Sequence, residues 1–91
     1  MLQQIKQRDT ANSFVSFYYG VALLHSGQLP EASAIFNQLY AGQSAFKFEA
    51  AFFQALRYLK ENDKNGCRTW LQKIPADAPD YNKAQELLKK L

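Results

Sequence analysis

Apolar residues recur along most of this chain at spacings of three and four, and that period predicts helices throughout. The first strong run lies between about Asn12 and Ser26, where Phe14, Phe17, Tyr18, Val21, Ala22 and Leu24 fall on one broad face. Phe, Val and Tyr favour strands locally, but the length of the run and its lack of strict alternation decide for a helix. Ser26-Gly27 ends it, because glycine there takes the left-handed conformation that closes a helix.

Pro30-Glu31 opens a second helix: proline lacks only an N–H that the first turn does not need, and glutamate suits the positive helix end. Ala32, Ile35, Phe36 and Leu39 form its apolar face, and it stops near Ala41-Gly42. A third helix is expected from about Ser44 to Glu61 or Asn62, lined by Phe48, Phe52, Phe53, Ala55, Leu56 and Leu59. After a short turn at Asn62-Asp63, a fourth runs from Lys64 to Ile74 with Cys67, Trp70, Leu71 and Ile74 inward. Pro75 and Pro79 bracket a loop, and Asp80 is placed to cap a last helix, Tyr81 to Leu91, with Ala84, Leu87, Leu88 and Leu91 on one stripe.

The alternation of helix, tight turn and helix invites a search for internal repetition. Sliding the chain by 35 residues places Gly20 on Ala55, Gly27 on Asn62, Ala32 on Cys67, Phe36 on Leu71 and Leu39 on Ile74. Sliding it by 34 the other way places Leu2 on Phe36 and Ile5 on Leu39. Leu2-Gln3-Gln4-Ile5, Phe36-Asn37-Gln38-Leu39 and Leu71-Gln72-Lys73-Ile74 then share the form apolar, amide, polar, apolar.

Helical hairpins with this period and pattern resemble the tetratricopeptide repeat family. Gly20, Leu23, Ala32 and Phe36 fit the family's small, large, small and large positions in one repeat, and Ala55, Tyr58, Cys67, Leu71 and Pro79 fit them in the next. The chain departs from the pattern where Leu23 replaces an aromatic, Ser44 stands in place of the proline, and Ser16 and Ala51 replace the tryptophan. The match covers about residues 13–81, and the last helix resembles the family's capping helix. The resemblance implies an all-α fold in which antiparallel hairpins stack as a short right-handed superhelix. Its divisions are the end of a preceding helix at 1–8, one repeat at 12–42, a second at 44–79 and a capping helix at 80–91. Met1 then marks an internal boundary of a longer repeat array, the alternative being an independent N-terminal turn. Small residues at Gly20/Ala32 and Ala55/Cys67 would let the helices of each hairpin approach closely.

Composition narrows the function. Ninety-one residues make one domain, 47% apolar and 21% charged, which is globular rather than disordered. A single cysteine excludes an internal disulfide and a multi-cysteine zinc site. No apolar run is long enough for a membrane span, and the N-terminus lacks a signal-peptide core, so a cytoplasmic location is the default expectation. The net charge of +3 arises entirely in residues 47–91. There Arg57, Lys60, Lys64, Arg68, Lys73, Lys89 and Lys90 alternate with acids, as on a solvated helical surface rather than a nucleic-acid-binding stripe.

No catalytic constellation is visible. His25, the single histidine, has no Cys, Asp or Glu at helical spacing to complete a metal pair. Cys67 occupies a small-residue position between helices and reads as a buried thiol. There is no nucleophile elbow, phosphate loop or paired-carboxylate motif, so no enzyme, cofactor or metal is expected.

The aromatic stripes carry the functional expectation. In the family that the chain resembles, the first helix of each hairpin faces a concave groove. That resemblance puts Phe14, Phe17, Val21, Leu24, Phe52, Leu56 and Leu59 on the groove, with His25, Glu49 and Lys60 at its rim. Phe17, Val21 and Phe53 stand where some members carry polar residues that grip a terminal carboxylate, so an apolar peptide or protein segment is the expected partner. The alternative is a structural domain that caps or dimerises a longer chain through its first-helix face; in a third view, the two stripes simply close on each other as core. Neither nucleic acid nor membrane insertion is expected.

Overall fold

The computed structural model describes residues 9–42 and 45–91, the first four of them as backbone. The expectations for Leu2, Ile5 and a preceding helix, and for a helix start at Ser44, lie outside the described residues. Five helices are described: α1 Asp9–His25, α2 Leu29–Ala41, α3 Lys47–Lys60, α4 Lys64–Leu71 and α5 Tyr81–Lys90. The described fold is all-α, and each helix packs against the next in the chain.

Two tight turns set the order. Gly27 has φ +84°, and its N–H and that of Gln28 donate back to Leu24 and Leu23 carbonyls at 3.2 and 2.9 Å. Asn62 has φ +62°, and its N–H and that of Asp63 donate to Leu59 and Tyr58 carbonyls, both at 2.9 Å. Each is the paired hydrogen-bond pattern that satisfies the last carbonyls of a helix. The following residue then caps the next helix: Ala32 N–H donates to the Gln28 carbonyl at 3.1 Å, and Cys67 N–H to that of Asp63 at 3.0 Å. Asp63 adds a side-chain cap, accepting from Gly66 N–H at 2.9 Å. Asp80 sits at the cap position of α5, where its carbonyl accepts from Ala84 N–H at 2.9 Å but its carboxylate makes no cap hydrogen bond; Lys83 Nζ stands 3.9 Å from that carboxylate instead.

The helix bounds differ from the sequence reading at two ends. α1 is already helical at Asp9, the first described residue, three residues before Asn12. α4 ends at Leu71 rather than Ile74, with Lys73 and Ile74 bonded three residues back to Trp70 and Leu71. Pro75 disfavours helical geometry in the residue before it, so the last turn tightens. Ile74 is still buried.

The core forms two clusters joined by α3. Leu23, Leu24, Ala32, Phe36, Leu39 and Ala50 bury together between α1, α2 and one face of α3. Ala51, Ala55, Cys67, Leu71, Ile74 and Ala84 bury between the other face of α3, α4 and α5. Small residues make room for rings, as expected in kind though not in partner. A Cβ on Gly20 would stand 2.8 Å from the Phe36 ring, and one on Gly66 2.5 Å from the Tyr58 ring. The close approach at Gly20 is therefore to Phe36 and Ile35, while Ala32 is buried in the same cluster.

A polar seam fixes α3 against α2. Gln54 is 1% exposed; its Nε2 donates to Ser33 Oγ at 3.1 Å and Asn37 Oδ1 at 2.9 Å. Its Oε1 accepts from Arg57 Nε at 3.0 Å, and Arg57 Nη1 meets Glu61 at 2.9 Å. Arg57, expected with the solvated basic surface, is buried, because this chain and the Tyr58 ring 3.9 Å from its guanidinium hold it.

Candidate functional site

α1 and α3 lie side by side, and aromatic rings close the middle of their seam. Phe17 stacks on Phe46 at 5.3 Å and meets Phe53 edge-on at 5.3 Å; Phe53 in turn lies 6.0 Å from Phe36. Toward the C-terminal ends of both helices the seam opens into a pocket of about 330 Å³ lined by Leu24, His25, Phe53, Leu56, Leu59 and Lys60. That volume is at the small end of ligand-sized pockets.

The pocket is built from corresponding positions of the two helices. Leu24 and Leu59 stand 35 residues apart, as do His25 and Lys60. His25 is the last residue of α1 and Lys60 the last of α3. Both side chains are exposed, and neither has a hydrogen bond or ion pair among the described residues. The result is an apolar wall with a polar donor at each helix end.

Five of the ten expected groove residues line this pocket: Leu24, His25, Leu56, Leu59 and Lys60. The other five do not. Phe14 is 49% exposed and packs edge-on against Tyr18 at 4.7 Å; Phe17 and Val21 pack against the first core cluster. Glu49 is partly exposed in the first turn of α3. Phe52 packs into the second cluster, and its neighbour Phe53 lines the pocket in its place. The signal for Phe53 was its position 35 residues after Tyr18, on the stripe shared by both helices.

α1 also presents a second surface, on which Val15, Tyr18 and Tyr19 are 57–67% exposed. The positions 35 residues after Val15 and Tyr19 are Ala50 and Gln54, both buried against α2. Cys67 is fully buried; desolvation pushes its thiol pKa up, against a downward pull from the Arg68 guanidinium and with a smaller upward push from the Asp63 carboxylate. Lys47 and Lys73 lie 4.5 and 5.5 Å from the Tyr40 ring, and Lys73 lies 5.2 Å from Trp70, away from the pocket.

No described helix is long and apolar enough to cross a membrane. Comparison of the chain with protein-family models, curated proteins and solved structures gives no match.

Proposed function

We propose that this chain is a non-catalytic protein-interaction module of the tetratricopeptide-repeat kind, two stacked hairpins and a capping helix, which receives an apolar peptide segment between α1 and α3. The observation that carries the reading is the pocket walled by Leu24, Phe53, Leu56 and Leu59. An open apolar recess on a small domain invites a partner side chain. Support for the repeat comes from the recurrence, at 35 residues, of the same turn hydrogen bonds at Gly27 and Asn62.

Selection of peptides from a displayed random library on the whole chain tests this reading. Selected peptides are expected to lose binding to Leu56→Glu, which puts a charge in the pocket, and to keep it with Val15→Glu, an exposed position outside the pocket lining. Peptides indifferent to Leu56→Glu would move the binding surface elsewhere.

The exposed face of Val15, Tyr18 and Tyr19 favours a second reading, in which the domain self-associates or stacks through α1. Between Thr10 and Leu24 α1 carries no charged residue, so two copies of this face meet without like-charge repulsion. Light scattering over a concentration series distinguishes the two: a dimer abolished by Val15→Glu supports stacking, and a monomer at high concentration excludes self-association.

A further inference from the structure

We infer that the exposed face of α1 is the interface of a closed dimer, in which the α1 helices of two copies of this chain pair antiparallel about a two-fold axis at Tyr18 and Tyr19. This deepens the self-association reading above and rests on it.

The repetition shows what kind of surface the face is. Val15, Tyr19 and Ala22 correspond, 35 residues on, to Ala50, Gln54 and Arg57. Those three are buried. α2 lies over two of them: Ala50 shares the first core cluster with Phe36 and Leu39, and Gln54 bonds Ser33 and Asn37. On α1 the same face carries Val15, Tyr18, Tyr19 and Ala22, all exposed. It has the form of a face that another helix covers.

The opposite end of the helix array is different. α5 exposes Asn82, Lys83, Glu86 and Lys89, the polar outer face on which a helix stack ends. Head-to-tail stacking of α1 on α5, which would build a fibre, therefore finds no apolar acceptor. With one apolar face per chain, association closes at two copies.

Charge and shape single out a second copy as the occupant. α1 has no charged residue between Thr10 and Leu24, so the face selects neither an acidic nor a basic partner. Its bulk is uneven. Exposed Phe14, Val15, Tyr18 and Tyr19 lie toward one end, and exposed Ala22 toward the other. Parallel pairing would set bulk on bulk and leave the small end gaping. Antiparallel pairing with Tyr18 opposite Tyr19 sets Val15 against Ala22, so large meets small. It also brings opposite ends of the two helix dipoles together.

Area sets the strength. The four large side chains are 49–67% exposed. An aromatic side chain offers about 150–250 Å², so the patch amounts to roughly 400 Å² per copy. A stable interface takes about 800 Å² from each partner. The dimer is therefore weak, with a dissociation constant on the order of 100 μM.

Sedimentation equilibrium of the whole chain, from about 5 μM to about 1 mM, tests the stoichiometry across that range. Monomer and dimer are expected, with no larger species. Val15→Glu puts a carboxylate into the interface from each copy and should weaken the dimer about tenfold or more. Tyr19→Ser should weaken it as well. Both should keep the thermal midpoint of the dilute monomer. Lys83→Gln, at the polar end, should leave the dimer unchanged. Oxidative crosslinking tests the orientation. The double variant Val15→Cys/Ala22→Cys should form a covalent dimer. Neither single variant should, because identical positions then stand seven residues apart along the pair, about 10 Å, too far for a disulfide. Cys67 is fully buried, and the wild type serves as its control.

Species larger than the dimer, a covalent dimer from Val15→Cys alone, or none from the double variant overturns the closed antiparallel pair; self-association through α1 then stands without it. A dimer indifferent to Val15→Glu, or a monomer at the highest concentration, overturns both.

Discussion

Gly27 and Asn62 close the same turn twice. They stand 35 residues apart, both have left-handed backbone, and each donates its N–H to the carbonyl three residues back while its successor reaches five back. The recurrence extends to what each turn places around it. Ala32 and Cys67 are both fully buried, as are Phe36 and Leu71, and Leu24/Leu59 with His25/Lys60 face one pocket.

The two turns differ in how well the residue suits the conformation, and that difference is measurable. A left-handed backbone costs a residue with a Cβ about 1–2 kcal/mol, less for Asn. Nothing lies within 4 Å of a Cβ built on Gly27, so Gly27→Ala should lose about 1–2 kcal/mol by backbone conformation alone. Asn62→Gly should be neutral or slightly stabilising, and Asn62→Val should destabilise. Urea unfolding of the three variants checks the order; an unchanged Gly27→Ala would mean the turn does not hold its φ.

Gly66 gives a prediction of steric rather than conformational origin. Its added Cβ would overlap the Tyr58 ring, 2.5 Å away, and the ring packs in the second core cluster. Gly66→Ala should therefore cost about 1–3 kcal/mol despite alanine's better helix propensity. Combining it with Tyr58→Leu should cost less than the sum of the two single changes. Additive losses in a double-mutant cycle would show that the ring moves aside freely.

How much of this was legible in the sequence depends on what each residue signals. The hairpin turns were, because Gly27 and Asn62-Asp63 interrupt clear apolar periods. The pocket was half legible. Leu24, Leu56, Leu59, His25 and Lys60 fall at repeat positions, whereas Phe52 and Phe53 are adjacent aromatics on a helix buried on both sides. Periodicity cannot say which ring turns to which side of such a helix. The Gln54–Arg57 seam was invisible: a glutamine and an arginine read as surface until Ser33, Asn37 and Glu61 are seen to satisfy them. The side-chain cap at Asp63 was hidden in a stretch that reads equally well as a plain turn.

That seam should be sensitive to a single truncation. Gln54→Ala leaves half-buried Ser33, exposed Asn37 and the buried Arg57 Nε without their partner, and the Arg57 Nε is the group with least access to water. An unsatisfied buried polar group costs about 1–3 kcal/mol. Gln54→Ala is expected to destabilise by about that amount or more, and Gln54→Glu to fail differently, since its carboxylate cannot donate to Asn37 Oδ1 or Ser33. Chemical denaturation of both variants checks this; a loss below about 0.5 kcal/mol for Gln54→Ala would place water, not protein, as the partner of these groups.

The buried thiol makes stability fall at alkaline pH. Desolvation, with Asp63 assisting and Arg68 opposing, raises the Cys67 pKa in the folded state above the ordinary thiol value of 9.0. A group whose folded pKa is raised holds its proton longer in the native state. Its stabilising contribution is complete below the unfolded pKa and is lost as pH rises toward and through the folded one. Between pH 7 and 8 the stability of the wild type should therefore be flat with respect to this group, and above about pH 9 it should decline. Lysines and tyrosines also titrate there, so the informative quantity is a difference. Cys67→Ala lacks the thiol but shares every other group and carries a pH-independent packing loss. The stability gap between wild type and Cys67→Ala should be constant near neutrality and narrow as pH climbs from 9 to 10.5. Urea unfolding across that range measures it. A gap that stays constant would mean that the thiol ionises as easily folded as unfolded.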